Sequence, residues 1–343
     1  FFFKQKTAYE IPKRDWSSDV CSSDLRNSIT GFLPNPYLGA GGFVGTRNGI
    51  TFTNQTGGCG GNGYQGVTRG DPGYDFIFNG VNHMYEGGLI LGTSATKLVD
   101  VVRNPNNVQD NDFTSTGFYS FTTPGVISDQ DGFTTFKDDG ASIDNKIGVR
   151  VNMYSYVYSN YPDNKYVILR YDITNTTTSL ISNLYIGHFF DWDLGTATSN
   201  YTSYDDTRSL GYAYDSGPGA RREYVGVRAL DSAASFRALI NNASIGLTRA
   251  DKWDWISSGF STTQAGPNDI HQSISSGPFS LAPNETRMIG FALVAGDSTL
   301  SNLQENADAA KRKWTAIRTL LSVKEISLDR KSTRLNSSHV SES

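Results

Sequence analysis

The chain has 343 residues, 19% of them charged, and a formal net charge of −4 at pH 7. The sequence has no basic patch of the kind that binds nucleic acid, and its acidic balance does not favour binding to anionic lipid. No run of apolar residues is long enough to span a bilayer. The many glycine, tyrosine and phenylalanine residues (35, 18 and 19) favour β structure. Aromatic residues suit a pleated, half-buried surface, and glycine marks turns.

Both ends resemble translated sequencing adapters, at residues 1–25 and 329–343. Codons can be chosen for DWSSDVCSSDL near the start whose reverse complement, in a shifted frame, reads DRKSTRLNSS near the end. Two unrelated protein ends have no reason to be complementary, so both are excluded from fold reasoning. Of the two cysteines, Cys59 then remains, and no internal disulfide is expected.

Residues 26–73 are rich in glycine and asparagine and include TGGCGGNGYQG. No phosphate-loop motif occurs there and no helical pattern follows, so a linker or irregular segment is predicted. Cys59 is read as an incidental thiol, since nothing nearby supplies a base.

Residues 74–297 predict a β-sandwich region. Segments 74–80 and 86–94 indicate a hairpin, and segments 209–216, 223–232 and 235–242 an antiparallel meander. Residues 166–195 (YVILRYDITNTTTSLISNLYIGHFFDWDLG) read as two strands joined by a polar turn, the central hairpin of the sandwich. Two further strands are expected within residues 270–298.

The hydrophobic period changes to three and four residues near the end of the chain. It predicts an amphipathic helix of about five turns over 298–320, packed on the sandwich and followed by the start of a linker at 321–328. Residues 250–259 predict one turn of helix or a surface loop. The helical repeat is carried by Leu300, Leu303, Ala307, Ala310, Trp314 and Ile317.

The predicted strand at 146–160 places three tyrosines on one face, namely Tyr154, Tyr156 and Tyr158. Tyrosine offers an apolar ring with a polar tip, so this face is a candidate platform for carbohydrate. The alternative is that the rings simply cover a solvent-facing or inter-sheet surface, because aromatic enrichment in strands needs no ligand.

Two aspartates flank a tryptophan at the end of the strand over 181–192, and two more follow a short loop. Calcium takes six to eight oxygen ligands, so Asp191, Asp193, Asp205 and Asp206 form a candidate calcium site. Asp191 and Asp193 also resemble a glycosidase acid/base pair. Ordinary strand-ending and turn-capping roles remain open for them.

Other motifs carry no catalytic prediction. His83, His188 and His271 lack zinc-site spacing, and His188 shares a strand face with apolar neighbours, which indicates a core or edge histidine. The Gly-Thr-Ser that ends in Ser94 resembles the nucleophile motif of subtilisin-like peptidases but does not continue like it, and no His-Gly-Thr accompanies it. It predicts a strand end with a turn.

An ordered series of segments is similar to a β-rich region of secreted bacterial proteins. That region lies after the catalytic domain of subtilisin-like peptidases and before a type IX secretion sorting domain, in Ignavibacteria- and Bacteroidetes-like bacteria. The segments are YEGGLILGTS (85–94), VILRY (167–171), GHFFDWD (187–193), SSGPF (275–279), ALVAGD (292–297) and the terminal helix.

The resemblance implies an exported or cell-surface chain with a catalytic domain upstream. With the composition, it leads to an all-β fold: a large antiparallel β-sandwich, single or as two packed sandwiches, closed by one C-terminal helix. The predicted function is a non-catalytic accessory region, with no catalytic residues in this segment and calcium as the one conceivable cofactor. The competing hypothesis is a carbohydrate-binding or carbohydrate-active module in contact with glycan.

Overall fold

The computed structural model describes residues 76–338, apart from 80, 109, 117–119 and 243–244. The predicted linker and Cys59 lie outside these residues. The described strands are β1 (Ile77–Phe78), β2 (Val81–Asn82), β3 (Met84–Gly92), β4 (Leu98–Asp100), β5 (Thr114–Ser115), β6 (Ser120–Thr122), β7 (Gln130–Lys137), β8 (Val149–Val157), β9 (Tyr166–Asn175), β10 (Ile181–Trp192), β11 (Asn200–Asp205), β12 (Leu210–Asp215), β13 (Tyr224–Ala229), β14 (Ser235–Ile240), β15 (Gln264–Asn268), β16 (Ile270–Leu281) and β17 (Thr286–Gly296). The helices are α1 (Arg249–Ser257) and α2 (Leu300–Ser338), with 3-10 turns at Asp138–Gly140, Ala197–Ser199 and Asp206–Arg208.

Two antiparallel sheets form the sandwich. The small sheet has the strand order β14-β16-β10-β3-β4, and the large sheet has the order β15-β11-β12-β13-β17-β9-β8-β7-β5, with β6 also paired to β7. The main hydrophobic cluster draws buried residues from strands of both sheets. The predicted all-β sandwich with a C-terminal helix is therefore confirmed. No helix among the described residues is both long and apolar enough to cross a membrane.

The predicted central hairpin is wrong. β9 pairs with β8 and β17 in the large sheet, whereas β10 pairs with β3 and β16 in the small sheet. The turn between them therefore carries the chain from one sheet to the other. Asn175, fully buried at the end of β9, donates from its amide to the carbonyl oxygen of Leu281 on β16 and so joins the two sheets at this crossing.

Two smaller topology predictions also need correction. β13 pairs with β12 and β17, while β14 lies in the small sheet beside β16, so the predicted meander ends after β13. β3 pairs with β4 and β10 rather than with the segment before it, where β1 and β2 form a two-stranded pair of their own. In both places alternation identifies the strands but not their partners.

α2 lies on the outer face of the large sheet. Trp314 is buried against β17 at Gly290, where an added Cβ would lie 2.5 Å from the indole ring, so glycine permits this close approach. The indole N–H donates to Asp231 at 3.2 Å. The predicted amphipathic helix is confirmed, and the residues of its repeat from Leu303 to Ile317 are buried. Its predicted end is wrong, because the helix continues to Ser338 through residues 321–328, where the start of a linker was expected.

α1 covers the outer face of the small sheet, where sequence reasoning expected one turn or a loop. Thr248 and Asp251 form a capping box at its start, which satisfies the first backbone N–H groups of the helix. Trp255 and Ile256 pack with Phe189 of β10 in a second hydrophobic cluster. The Thr-x-x-Asp spacing was the available sequence signal for this helix.

A fully buried lysine fastens α1 to the segment after β4. Lys252 lies 2.6 Å from Asp100 and 2.9 Å from Asp110, and it also donates to the carbonyl oxygen of Val102. Burial raises the pKa of Asp100, although Lys252 opposes that shift. We refer to Asp100, Asp110 and Lys252 as the lysine cluster.

Replacing Lys252 with methionine should destabilise the fold by about 3–5 kcal/mol, because it leaves the buried Asp100 without its nearest counter-charge. Denaturant unfolding measures this loss. The matched control is Lys146→Met, which removes an ion pair to Asp139 whose side chains are 33% and 46% exposed. That change should cost less than about 1 kcal/mol. Equal losses in both variants would contradict the role of the lysine cluster.

Candidate functional site

Three polar side chains stand in a row across the small sheet. Asp191 of β10 is paired with Glu86 of β3 on one side and with His271 of β16 on the other. Residues paired across antiparallel strands project from the same face, so the three side chains are neighbours. Phe189 precedes Asp191 on this face and packs against α1, which identifies the face as the outer one.

Arg103 covers the row from the segment that follows β4. Its Nη1 lies 2.8 Å from Glu86 Oε2 and 3.0 Å from Asp191 Oδ2, and its backbone N–H donates to Glu86 Oε1 at 2.8 Å. Its guanidinium carbon lies 5.8 Å from the centre of the Phe189 ring. Glu86, Arg103, Asp191 and His271 are each no more than 3% exposed, and we name them the ionic row.

His271 completes the row and orients it. Its Nε2 lies 3.1 Å from Arg103 Nη2, and its Nδ1 lies 3.2 Å from Asp191 Oδ1. Because a guanidinium only donates, the first contact requires Nε2 to accept a hydrogen bond. The proton then sits on Nδ1, on the side of Asp191. Both carboxyl groups of the row share the guanidinium of Arg103 as their positive partner.

The two carboxyl groups respond differently to this environment. Burial raises the pKa of Glu86, and Arg103 only partly opposes that shift. Burial would also raise the pKa of Asp191, but His271 and Arg103 outweigh it and hold that pKa below its ordinary value. Asp191 is therefore an ionised carboxylate bound to Arg103 and His271. These contacts connect β10 with β16 and with the segment that follows β4.

The predicted acidic site is only partly assembled. Carboxylate oxygens of Asp191, Asp193 and Asp269 lie within 4.8 Å of one another, so two of the four predicted residues are brought together with Asp269, which lies between β15 and β16. Asp269 accepts a hydrogen bond from the Asn241 amide at 2.7 Å. Asp191 already has a positive partner, which lowers the charge left to attract a cation.

Asp205 and Asp206 do not join that group, and including them was wrong. Asp205 ends β11 and binds Arg208 at 3.0 Å and the Gln304 amide of α2 at 2.9 Å. Asp206 begins the 3-10 turn that follows. The loop after β10 leads into β11 of the large sheet. Asp205 and Asp206 therefore lie away from Asp191 and Asp193, although they are near them in the sequence.

The predicted tyrosine platform is largely covered. Tyr154, Tyr156 and Tyr158 share the outer face of the large sheet as expected, but Tyr156 is 2% exposed and Tyr158 is 8% exposed. The Arg170 guanidinium lies 4.4 Å from the centre of the Tyr154 ring, and Lys313 Nζ of α2 lies 4.6 Å from that of Tyr158. Two of the three rings are therefore buried on this outer face, and Tyr154 is half-buried beneath Arg170.

Sequence reasoning missed three members of the ionic row. Glu86, Arg103 and His271 lie far apart in the chain and form no spaced motif. One signal was present: Glu86 is the only charged residue in the apolar segment MYEGGLILG, and a charge in a buried strand needs a partner. The identity of that partner depends on the packing of the segment after β4.

Comparison with known proteins assigns no family. No family model matches the chain, and no curated protein matches it. Solved structures with partial similarity include a polysaccharide lyase (9% identity, TM-score 0.32, 64% of this chain and 27% of that one) and a protein assigned as an aldose 1-epimerase from Escherichia coli K12 (8%, 0.27, 53% and 69%). A third is a family GH92 alpha-mannosidase from Bacteroides thetaiotaomicron (12%, 0.31, 82% and 35%). The chain thus spans about a third or less of the lyase and the mannosidase, and similarity this distant transfers neither a function nor a site.

His188 confirms the prediction of a core histidine. It is fully buried between the sheets, 4.7 Å from the ring centre of Phe291 and 5.3 Å from that of Tyr171. Burial lowers its pKa to about 3, because the charged imidazolium would lose its hydration. The residue therefore stays neutral in the folded chain, where an unfolded histidine would titrate near 6.5.

This pKa predicts acid sensitivity. The stability linked to His188 is fully present above about pH 6.5 and is lost as the pH falls towards 3, by up to about 1.4 kcal/mol per pH unit. Denaturant unfolding from pH 8 to 4 measures this, with His188→Leu as the variant. Its free energy of unfolding should fall less steeply below pH 6.5. Parallel pH profiles for the two proteins would contradict the prediction.

The calcium prediction has a direct measurement of its own. A cation that binds Asp191 and Asp193 in the folded chain alone would raise the melting midpoint, and chelator would reverse the shift. Asp193→Asn should remove the effect, while Asp206→Asn should retain it because Asp206 lies outside the group. An unchanged midpoint, or a shift that survives Asp193→Asn, argues against a cation at this position.

Proposed function

We propose that this chain is a non-catalytic accessory β-sandwich region of an exported bacterial protein, attached to a subtilisin-like peptidase. The observation that carries the non-catalytic part is the burial of Asp191 within the ionic row. A carboxylate that serves as a general acid, base or nucleophile must reach substrate. Asp191 is 3% exposed and is bound to Arg103 at 3.0 Å.

The residues that resemble a peptidase motif also favour this proposal. β3 ends at Gly92, and Lys97 N–H donates to Ser94 Oγ at 3.0 Å, so Ser94 closes a turn as its sequence context predicted. Among the described histidines, His271 is held by Arg103 and His83 lies 3.2 Å from Glu223. A serine nucleophile needs a histidine base within hydrogen-bond reach, and these two are occupied elsewhere.

The competing hydrolase hypothesis has less support. A glycosidase carries its two carboxyl groups at least about 5 Å apart on either side of an open substrate cleft. Here the oxygens of Asp191 and Asp193 lie within 4.8 Å, and one of the pair is buried under Arg103. Two of the three tyrosines of the predicted platform, Tyr156 and Tyr158, are buried as well.

The proposed export and the proposed attachment to a peptidase rest on the ordered series of segments described under the sequence analysis.

Reading the complete coding sequence tests the proposed attachment. Long-read sequencing across this locus, without short adapters, should reveal a subtilisin-like catalytic domain upstream and a sorting domain downstream in the same frame. The adapter-like residues 1–25 and 329–343 should be replaced by native sequence. A complete frame with a different catalytic domain, or with none, would overturn the proposal.

A further inference from the structure

A groove lined by tyrosines lies at one edge of the large sheet, on its outer face. Its cavity measures about 240 Å³. β11, β12 and β15 supply its lining, and the register places the side chains of neighbouring strands on the same face. We define this tyrosine groove by Tyr201, Tyr212, Tyr214, Ser203, Gln264 and Gly266.

The three rings form a nearly parallel set. Tyr201 and Tyr214 face each other across β11 and β12 with ring centres 5.4 Å apart and planes 10° apart. Tyr212 and Tyr214 follow each other along β12 with centres 6.3 Å apart and planes 23° apart. Such cross-strand pairs stabilise a sheet. All three rings are half-buried, however, so part of each remains open to the groove.

β15 forms the wall of the groove. It is the edge strand of the large sheet and pairs Gln264 with Ser203 of β11. Gly266 has φ +116°, and a Cβ there would lie 2.4 Å from the Asn200 carbonyl oxygen and 2.8 Å from Tyr201 Cα. Glycine therefore lets this edge strand press against β11. Gln264 and Ser203 line the groove together with the three rings.

The chemistry of the lining selects the ligand. It combines aromatic rings with hydroxyl and amide groups and contains no carboxylate, lysine or arginine. Burial raises the pKa of Tyr214, so that phenol stays neutral. Single-stranded nucleic acid would also stack on rings, but its phosphates need basic side chains. A pyranose sugar meets both features, since it has an apolar ring face and a rim of hydroxyl groups.

We propose that the tyrosine groove binds a neutral oligosaccharide, with one pyranose ring against Tyr201 and Tyr214 and its hydroxyl groups on Ser203 and Gln264. The site differs from the predicted platform of Tyr154, Tyr156 and Tyr158. Ligand sites of this kind combine aromatic side chains with a few placed polar groups. The proposal does not depend on the attachment to a peptidase, because the groove is built entirely from described residues of this chain.

Isothermal titration with four neutral hexasaccharides tests the proposal, namely cellohexaose, xylohexaose, mannohexaose and laminarihexaose. At least one should bind saturably. Tyr201→Ala should weaken that binding about tenfold, the factor that a ring contact of ~1.4 kcal/mol represents. Hexagalacturonate, an acidic hexasaccharide, should bind more weakly, because the lining offers no positive charge.

Two further variants keep the result interpretable. Gln264 is exposed, so Gln264→Ala should fold normally and still weaken binding several-fold, even if Tyr201→Ala proves unstable. Tyr161→Ala is the matched control, since that ring is 83% exposed and lies outside the groove. The proposal is overturned if none of the four neutral sugars binds, if the acidic sugar binds best, or if Gln264→Ala binds like the unmodified chain. None of these outcomes bears on the reading-frame test.

Discussion

Burial of paired charges on the outer face of the small sheet is the interaction on which the rest of the structure depends. Arg103 lies on the segment that follows β4 and binds Glu86 of the small sheet, while Lys252 of α1 binds the same segment at the carbonyl oxygen of Val102. Glu86 and Asp191 are buried beside Arg103, and Asp100 is buried beside Lys252, so removing either cation would leave a buried carboxylate without its nearest positive partner. The sheet, the covering segment and α1 are therefore held together as one unit.

The same interaction decides the role of the most suggestive motif. An acidic pair around a tryptophan at a strand end is an attractive candidate for catalysis or cation binding. In the structure one of the two carboxylates, that of Asp191, contacts Arg103 and His271. Trp192 between them points the other way and stacks on Phe190 with ring centres 5.0 Å apart. The motif thus mainly connects the ionic row on the outer face of the small sheet with the hydrophobic core between the sheets.

Tyrosines illustrate how position in the sheet determines exposure. Tyr154 of β8 lies under Arg170 of β9, and Tyr158, directly after β8, lies under Lys313 of α2. The groove tyrosines lie towards the edge, where the strand order ends at β15. Both sets alternate along their strands in the same way. The set near the edge has a cavity beside it.

The sequence by itself determined the fold class, the strand-rich region, the C-terminal helix and the burial of His188. Those features depend on local periodicity, and a period of two or of 3.6 residues can be read without knowing the partner. It also supplied a signal for α1 in the Thr248–Asp251 spacing. The tertiary structure alone decided that β9 and β10 lie in different sheets, that Arg103 neutralises Asp191, and that Asp269 replaces Asp205 beside Asp193. Each of these depends on contacts between residues far apart in the chain, and alternation along a strand fits either sheet equally well.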